Sequence, residues 1–424
     1  MLTTQNSPPF DAPLRFFLTA PLFGIALGIA IMYFPDALFV SRWLPETLAI
    51  VHLCTLGVMA PIMLGALIQI LPVVAGAILP NTRRIALKVH IFLSIGTSFL
   101  IVSFFNQNRI FMFCALFFLF LSFFVFLIAV FKSFYYNKAQ SPTIFGLKLS
   151  LFSFLFTFIL GFILISTQAN YIYLPKTFTN LHAAWGLIGF SSILLISVSL
   201  VVVPMFQLTP NYPKIIENKL CVFLFIFLIL FSASSLFNLN FLDDFFVFIL
   251  LFLLFLFCIV SLKLQQKRRR ARRDATFYAW EIALFFSSIA CLILIINILF
   301  FDYFEKYHLT SHAFILIIYS FFGFIIGMLF KILPFLSWLH LQNITLGKQK
   351  IPPMNYYLTE KEAYFQLFFY ALSFLSFILS MFIPLFRISN GILIALQFLI
   401  LEIILCTSVL RYKKILKELK NKKT

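Results

Sequence analysis

The chain has 424 residues, of which 62% are hydrophobic and 11% are charged, and its mean hydropathy is +1.04. This composition excludes a soluble protein, because apolar runs long enough to cross a bilayer, about 20 residues, recur from residue 16 to residue 410. The net charge of +18 does not indicate nucleic-acid binding, since the basic residues gather in loops between apolar runs. The sequence therefore predicts an all-α polytopic membrane protein surrounded by lipid.

Twelve apolar segments are predicted to be membrane-spanning helices. They cover residues 16–34, 49–79, 89–105, 110–131, 149–168, 181–206, 220–238, 245–262, 277–301, 311–339, 364–384 and 390–410. Loops after even-numbered segments are basic, most densely at Lys267–Arg273, whereas loops after odd-numbered segments carry few basic residues. The protein is expected in the bacterial inner membrane. By the positive-inside rule, both of its termini are expected on the cytoplasmic side. The basic run is interpreted as a topology anchor on anionic headgroups, with protein docking as the alternative.

A histidine opens an apolar segment three times along the chain. His52, His182 and His312 lie 130 residues apart (182 − 52 and 312 − 182). Each run contains a proline towards its end, at Pro72, Pro204 and Pro334. The period corresponds to four segments and their loops, so the sequence predicts one membrane domain, 1–424, made of repeats at approximately 1–145, 146–275 and 276–424. Three parallel repeats imply a pseudo-threefold axis along the membrane normal, unlike the two matching halves of many transporters.

The three repeat histidines are candidate ligands of a cofactor. Imidazole inside a membrane helix is costly without a partner, and neutral imidazole commonly binds haem iron or copper. Trp185 and Tyr319 are expected on the faces of His182 and His312, where they line a pocket or pack in the core. Glycines near the histidines would admit a flat porphyrin or allow close helix packing. They are Gly57, Gly65, Gly186, Gly189, Gly323 and Gly327.

This arrangement resembles the haem-copper oxidase catalytic-subunit fold, which has twelve helices, pseudo-threefold symmetry, and histidines near the outer ends of helices two, six and ten. The block KILPFLSWLH, from Lys331 to His340, is similar to a sequence of the divergent oxidase-like proteins, of which the NnrS haem-copper proteins of nitric oxide metabolism are an example. The resemblance implies a b-type haem held by His52 and His312. It also implies that His182 faces a second site, for copper or another haem.

The chain departs from the oxidases at their dioxygen-reducing centre. The seventh segment has no histidine, and Thr310 and Phe314 flank His312 where the oxidases have a His-x-His pair. Ala183 and Gly186 stand where those enzymes usually have a proline and often a tyrosine. These departures exclude a conventional terminal oxidase. The resemblance then implies haem-dependent redox chemistry or the handling of nitric oxide or oxygen, with other membrane redox proteins as partners.

Three charged residues lie within predicted segments. Glu281 is close to the inner surface and means less, so Lys331 and Glu402 are the candidates. Lys331 is expected to snorkel to headgroups, with proton entry as the alternative. Glu402, about 13 Å into the membrane by helical rise, is expected to be protonated or partnered. Both would serve a proton-coupled solute transporter, which is the alternative function, and a cofactor-free scaffold or assembly protein is the third. His308 is a reserve ligand, His90 and His340 are expected to be interfacial, and the six cysteines are predicted to be buried and inert.

Overall fold

The structure of the chain is a computed structural model that describes residues 8–136, 139–169, 172–269, 271–300 and 309–421. Within these ranges no residue forms a β-strand, and twelve helices are long and apolar enough to cross a membrane. They are α1 Asp11–Tyr33, α2 Pro45–Val74, α3 Thr82–Asn106, α4 Arg109–Tyr136, α5 Pro142–Gln168, α6 Thr177–Gln207, α7 Lys214–Leu236, α8 Asn240–Gln266, α9 Ala275–Leu299, α10 Thr310–Thr345, α11 Glu360–Phe382 and α12 Phe386–Asn421. The predicted all-helical class with twelve spanning segments is confirmed.

Most helices extend beyond the apolar segments from which they were predicted. The hydropathy of a segment indicates where the chain contacts lipid. The backbone hydrogen bonds of a helix can continue beyond that segment, into residues that are polar but still favour a helix. The clearest case is α12, which continues past residue 410 through the basic tail to Asn421. Ile415 and Leu419 are buried there, and their i, i+4 spacing puts them on one face of the helix.

The repeat prolines lie inside helices. Pro72 and Pro204 are close to the ends of α2 and α6, so they remove hydrogen bonds only near a terminus. Pro334 differs, because α10 continues beyond it to Thr345. The helix that carries His312 therefore does not end at its proline.

The contacts of the chain divide it into two compact units. The first comprises Met1–Asn137, Arg273–Trp280 and Phe321–Thr424, and the second comprises Lys138–Arg272 and Glu281–Ser320. In the first unit α1 packs against both α2 and α12, and α11 packs against α12. In the second unit α5 packs against α6, and α7 against α8.

The cysteines are not all buried. Cys54, Cys221, Cys258 and Cys291 are, whereas Cys114 is half-buried and Cys406 is exposed on the surface of the helix. The prediction of six buried thiols is therefore wrong for these two, since an apolar segment contributes residues to the outer face of the protein as well as to its core.

Candidate functional site

The imidazole of His52 is oriented by its own helix. Its Nδ1 lies 2.7 Å from the carbonyl oxygen of Leu48, one turn earlier in α2. A carbonyl only accepts hydrogen bonds, so Nδ1 carries the proton and the lone pair is on Nε2. The ring is half-buried and packs at 5.3 Å, centroid to centroid, against Phe104 of α3. His52 is thus held in one tautomer and one orientation.

A π-helical turn follows two of the three repeat histidines. In α2 it spans Leu53–Met59, directly after His52, and in α6 it spans Trp185–Ser192, three residues after His182. The helix that carries His312 is regular at this point. Short π-helical segments inside α-helices are rare and occur frequently at functional sites. The backbone therefore has this unusual feature shortly after two of the three histidines.

His182 is directed towards α5 within the second unit. Its Nδ1 lies 3.1 Å from the carbonyl oxygen of Thr157, which assigns the same tautomer as in His52. The ring covers Gly161, where an added β-carbon would lie 2.9 Å from the imidazole Cε1. The half-buried imidazole therefore joins α6 to α5 through a backbone hydrogen bond.

The side chain of Trp185 belongs to the core between helices. It is 4% exposed, and its Nε1 donates a hydrogen bond to Ser232 Oγ of α7 at 2.9 Å. Its ring packs between Phe156 of α5 and Phe225 of α7, with centroid distances of 4.6 and 5.7 Å. Of the two interpretations of Trp185, these contacts favour core packing.

Gly161→Val is expected to displace the His182 imidazole and break its bond to the Thr157 carbonyl. Overpacking a close contact costs about 1–3 kcal/mol, so the melting temperature of the purified protein should fall by several degrees. Thermal unfolding followed by size-exclusion chromatography measures this effect. His182→Ala is the matched comparison, because combining it with Gly161→Val removes the clash and should recover part of the loss. Equal melting temperatures for wild type and Gly161→Val would contradict this account of His182.

The aromatic and histidine candidates near the start of α10 lie in the second unit. His312 is half-buried and Tyr319 is 4% exposed. His308 lies outside the described residues. His52 belongs to the first unit, so the pair of histidines implied by the family resemblance is divided between the two units.

The glycines proposed to face a porphyrin pack against neighbouring helices. A β-carbon on Gly57 would lie 2.8 Å from Phe23 of α1, and one on Gly189 would lie 2.8 Å from Ser153 of α5. Gly65, Gly323 and Gly327 meet Phe17, Tyr370 and Trp280 as closely, whereas Gly186 meets only a methyl group of Thr157 at 3.3 Å. Close helix packing, the alternative stated above, is therefore the role the structure gives them.

Lys331 has an ion-pair partner that the sequence analysis missed. Its Nζ lies 2.8 Å from Asp274 Oδ2, and the two side chains are only 25% and 13% exposed. Asp274 also caps α9, since its Oδ1 accepts a hydrogen bond from the backbone N–H of Phe277 at 3.0 Å. Lys331 therefore has a carboxylate partner at the start of α9, and its snorkelling to headgroups stays a prediction. The available signal was the single acidic residue that ends the basic run Lys267–Arg273.

Three further polar side chains have partners within the first unit. Glu402 is half-buried and accepts a hydrogen bond from Cys406 Sγ at 3.2 Å, as expected for a partnered carboxyl group. His90 bonds to the hydroxyl of Thr19 at 2.7 Å. His340 bonds to the hydroxyl of Tyr412, also at 2.7 Å. The two histidines are half-buried and hydrogen-bonded.

The described residues contain no group of three or more His, Cys, Asp or Glu side chains placed to hold a metal ion. A haem with two axial histidines needs only two protein ligands, so this result concerns a copper centre rather than a haem. Comparisons of the sequence with known protein families and with curated proteins found no match.

Proposed function

We propose that the chain is a haem-binding protein of the inner membrane, with a haem-copper oxidase-like fold of three four-helix repeats and both termini in the cytoplasm. In this proposal His52 and His312 hold a b-type haem, and His182 faces a second haem or a copper ion. The protein would serve redox chemistry or the handling of a small gas such as nitric oxide or oxygen.

The orientation of His52 is the observation that carries the proposal. Histidines that bind metals commonly donate their other ring N–H to a backbone carbonyl, which fixes the tautomer and raises the basicity of the ligating nitrogen. The bond between His52 Nδ1 and Leu48 has this arrangement, with the lone pair on Nε2. The adjoining π-helical turn, with another shortly after His182, adds support because such turns occur frequently at functional sites.

The residues around His52 suit the needs of an axial ligand. When bound, a b-type haem supplies one-electron transfer and an iron that binds diatomic gases. The chain contributes orientation: the Leu48 carbonyl holds the imidazole plane, and Phe104 packs against the ring and limits its rotation. The half-buried setting keeps most of the ring out of water, which is one of the means by which proteins tune haem potential.

The transporter alternative depends on Lys331 and Glu402 as its charged residues. Lys331 is paired with Asp274, so a transport cycle that used it would have to separate two largely buried charges. Glu402 bonds to Cys406, which is exposed on the surface of α12. These contacts weaken the transporter proposal relative to the haem proposal.

A reduced-minus-oxidised absorbance spectrum of the detergent-purified protein, expressed with ample haem, tests the proposal. We expect sharp low-spin b-type bands in the wild type, and their loss in His52→Ala and His312→Ala. His340→Ala is the matched control, because that imidazole already bonds to Tyr412 and should leave the bands unchanged. A featureless wild-type spectrum would end the haem proposal, and bands that persist in His52→Ala would remove His52 as a ligand.

A further inference from the structure

The interface between α11 and α12, within the first unit, is lined with buried polar side chains. On α11 these residues recur every three or four positions and are at most 4% exposed: Gln366, Tyr370, Ser373, Ser376 and Ser380. On α12, Asn390, Gln397 and Ser408 are at most 3% exposed. Two of the α11 serines, Ser373 and Ser380, are satisfied within their own helix, because their hydroxyls donate to backbone carbonyls three residues earlier.

The two glutamines are different. Gln366 and Gln397 are both 0% exposed, and neither the oxygen nor the nitrogen of either amide has a hydrogen-bond partner among the described atoms. Burying an amide without a hydrogen bond is unfavourable, because the bonds that it made to water in the unfolded chain are not replaced. Buried polar atoms of native proteins are therefore nearly always satisfied by protein or by ordered water.

Two contacts fix how α11 and α12 face each other. Asn390 Nδ2 donates to the carbonyl oxygen of Ser373 at 2.9 Å, and the hydroxyls of Ser376 and Ser389 are 3.3 Å apart. Between these two contacts the residue number rises on α11 and falls on α12, so the two helices are antiparallel. The contacts also show which residues of α11 lie beside which residues of α12.

This register places the glutamines opposite each other. Gln366 precedes Ser373 by seven residues, and Gln397 follows Asn390 by seven residues. Seven residues are close to two turns of 3.6, so each glutamine lies on the same helix face as the bonded residue, roughly 10 Å further along. The register therefore puts the two amides at about the same level of the interface, and they are not bonded to each other.

We propose that Gln366 and Gln397 bind internal water between α11 and α12. The ligand must both donate and accept hydrogen bonds, because each amide offers an N–H₂ group and a carbonyl oxygen. It must also be neutral and small, since both amides are uncharged and fully buried. Water meets these requirements, and a buried water typically makes about three hydrogen bonds to polar groups that the protein leaves unsatisfied. This proposal rests on α11 and α12 alone and is independent of the haem.

The same interface offers water an entry. One turn before Gln366, Glu362 Oε1 and Oε2 pair with the two terminal nitrogens of Arg411 at 2.7 and 2.8 Å. These side chains are 24% and 28% exposed, so this end of the interface contacts the surroundings while the glutamines do not. Exchange of the internal water through the Glu362 end follows from this gradient of exposure.

X-ray radiolytic hydroxyl labelling with mass spectrometry tests the proposal on the full-length detergent-purified protein. Radicals form from bound water in place, so they oxidise adjacent side chains that bulk solvent does not reach. Tyr370, fully buried and one turn after Gln366, is the reporter. We expect Tyr370 to be oxidised in the wild type and several-fold less in the Gln366→Leu/Gln397→Leu double variant.

The control is Ser380→Ala, which removes a buried hydroxyl on the same helix that is already bonded to the Phe377 carbonyl. It should leave Tyr370 oxidation at the wild-type level. An unoxidised Tyr370 in the wild type overturns the proposal without reference to any variant. Equal oxidation in the wild type and in a double variant that elutes as a monodisperse peak also overturns it.

Discussion

Gly28→Val is expected to separate α1 from α12 and to leave little monodisperse protein after extraction. A β-carbon on Gly28 would clash with the backbone nitrogen of Ala395 and with the carbonyl oxygen of Gly391. From the other side, one on Gly391 would lie 2.8 Å from the Gly28 carbonyl oxygen and 2.9 Å from the Met32 nitrogen. The obstacle is backbone on both helices, so no side-chain rotation relieves it.

The expected loss is large because this crossing joins the first and last helices of the first unit. Overpacking costs about 1–3 kcal/mol where side chains can shift, and a backbone clash exceeds that range. A folded domain is stable by only about 5–15 kcal/mol, so one such clash removes a substantial fraction. Fluorescence-detected size-exclusion chromatography of the extracted protein, before and after heating, measures the effect.

Gly186→Ala supplies the matched control. Its added β-carbon would meet only the Cγ2 methyl of Thr157, at 3.3 Å, and a small side-chain shift accommodates it. It should therefore elute and melt like the wild type. A Gly28→Val protein with the wild-type elution profile and melting temperature would show that the α1–α12 crossing is looser than the structure describes.

The existence of twelve helices was predictable because each carries a long apolar run, and lipid selects for this directly. The residues at which the helices end were harder to predict. The tail of α12 reads as polar and basic, but Ile415 and Leu419 still bury one face of it. The π-helical turns after His52 and His182 have no signature in composition, since they depend on how a helix accommodates its neighbours.

The candidate site was predictable in its residues and not in its contacts. The equal spacing of the histidines identified His52 and His182, but their partners are backbone carbonyls of Leu48 and Thr157, a group that every residue carries. Residues far apart in sequence, such as Asp274 and Lys331, meet only through tertiary packing. An isolated glutamine within an apolar segment was an available signal for Gln366 and Gln397, although only the contacts between α11 and α12 put them at about the same level of the interface.

Lys331→Met is expected to destabilise the protein by about 3 kcal/mol, because it leaves the Asp274 carboxylate without its partner. That carboxylate is 13% exposed, so water cannot replace the lost ammonium group. Asp274→Ala should cost at least as much, since it also removes the N-cap acceptor for Phe277, worth about 1 kcal/mol. The pair lies beside two further bonds between α9 and α10, from Thr276 Oγ1 to the Gly327 carbonyl and from Trp280 Nε1 to the Phe324 carbonyl.

Asp274→Asn combined with Lys331→Met separates the charge interaction from the cap. Asparagine keeps an oxygen that can cap α9, and methionine fills much of the volume of lysine without a charge. Replacing both members of a buried ion pair by neutral groups is often nearly neutral for stability, so the double variant should recover most of the loss caused by Lys331→Met.

Arg83→Gln is the comparison at the surface, because Arg83 is 72% exposed and its bond to Asp11 should contribute less than about 1 kcal/mol. Thermal unfolding of the wild type, the single variants Lys331→Met and Asp274→Asn, and the double variant gives the coupling energy. Purely additive losses at Asp274 and Lys331 would contradict the assignment of this pair as a structural link between α9 and α10. Recovery in the double variant would also mean that the protein folds without a charge at residue 331. A structural role for Lys331, as the partner of Asp274, predicts this result, whereas a transport role does not require it.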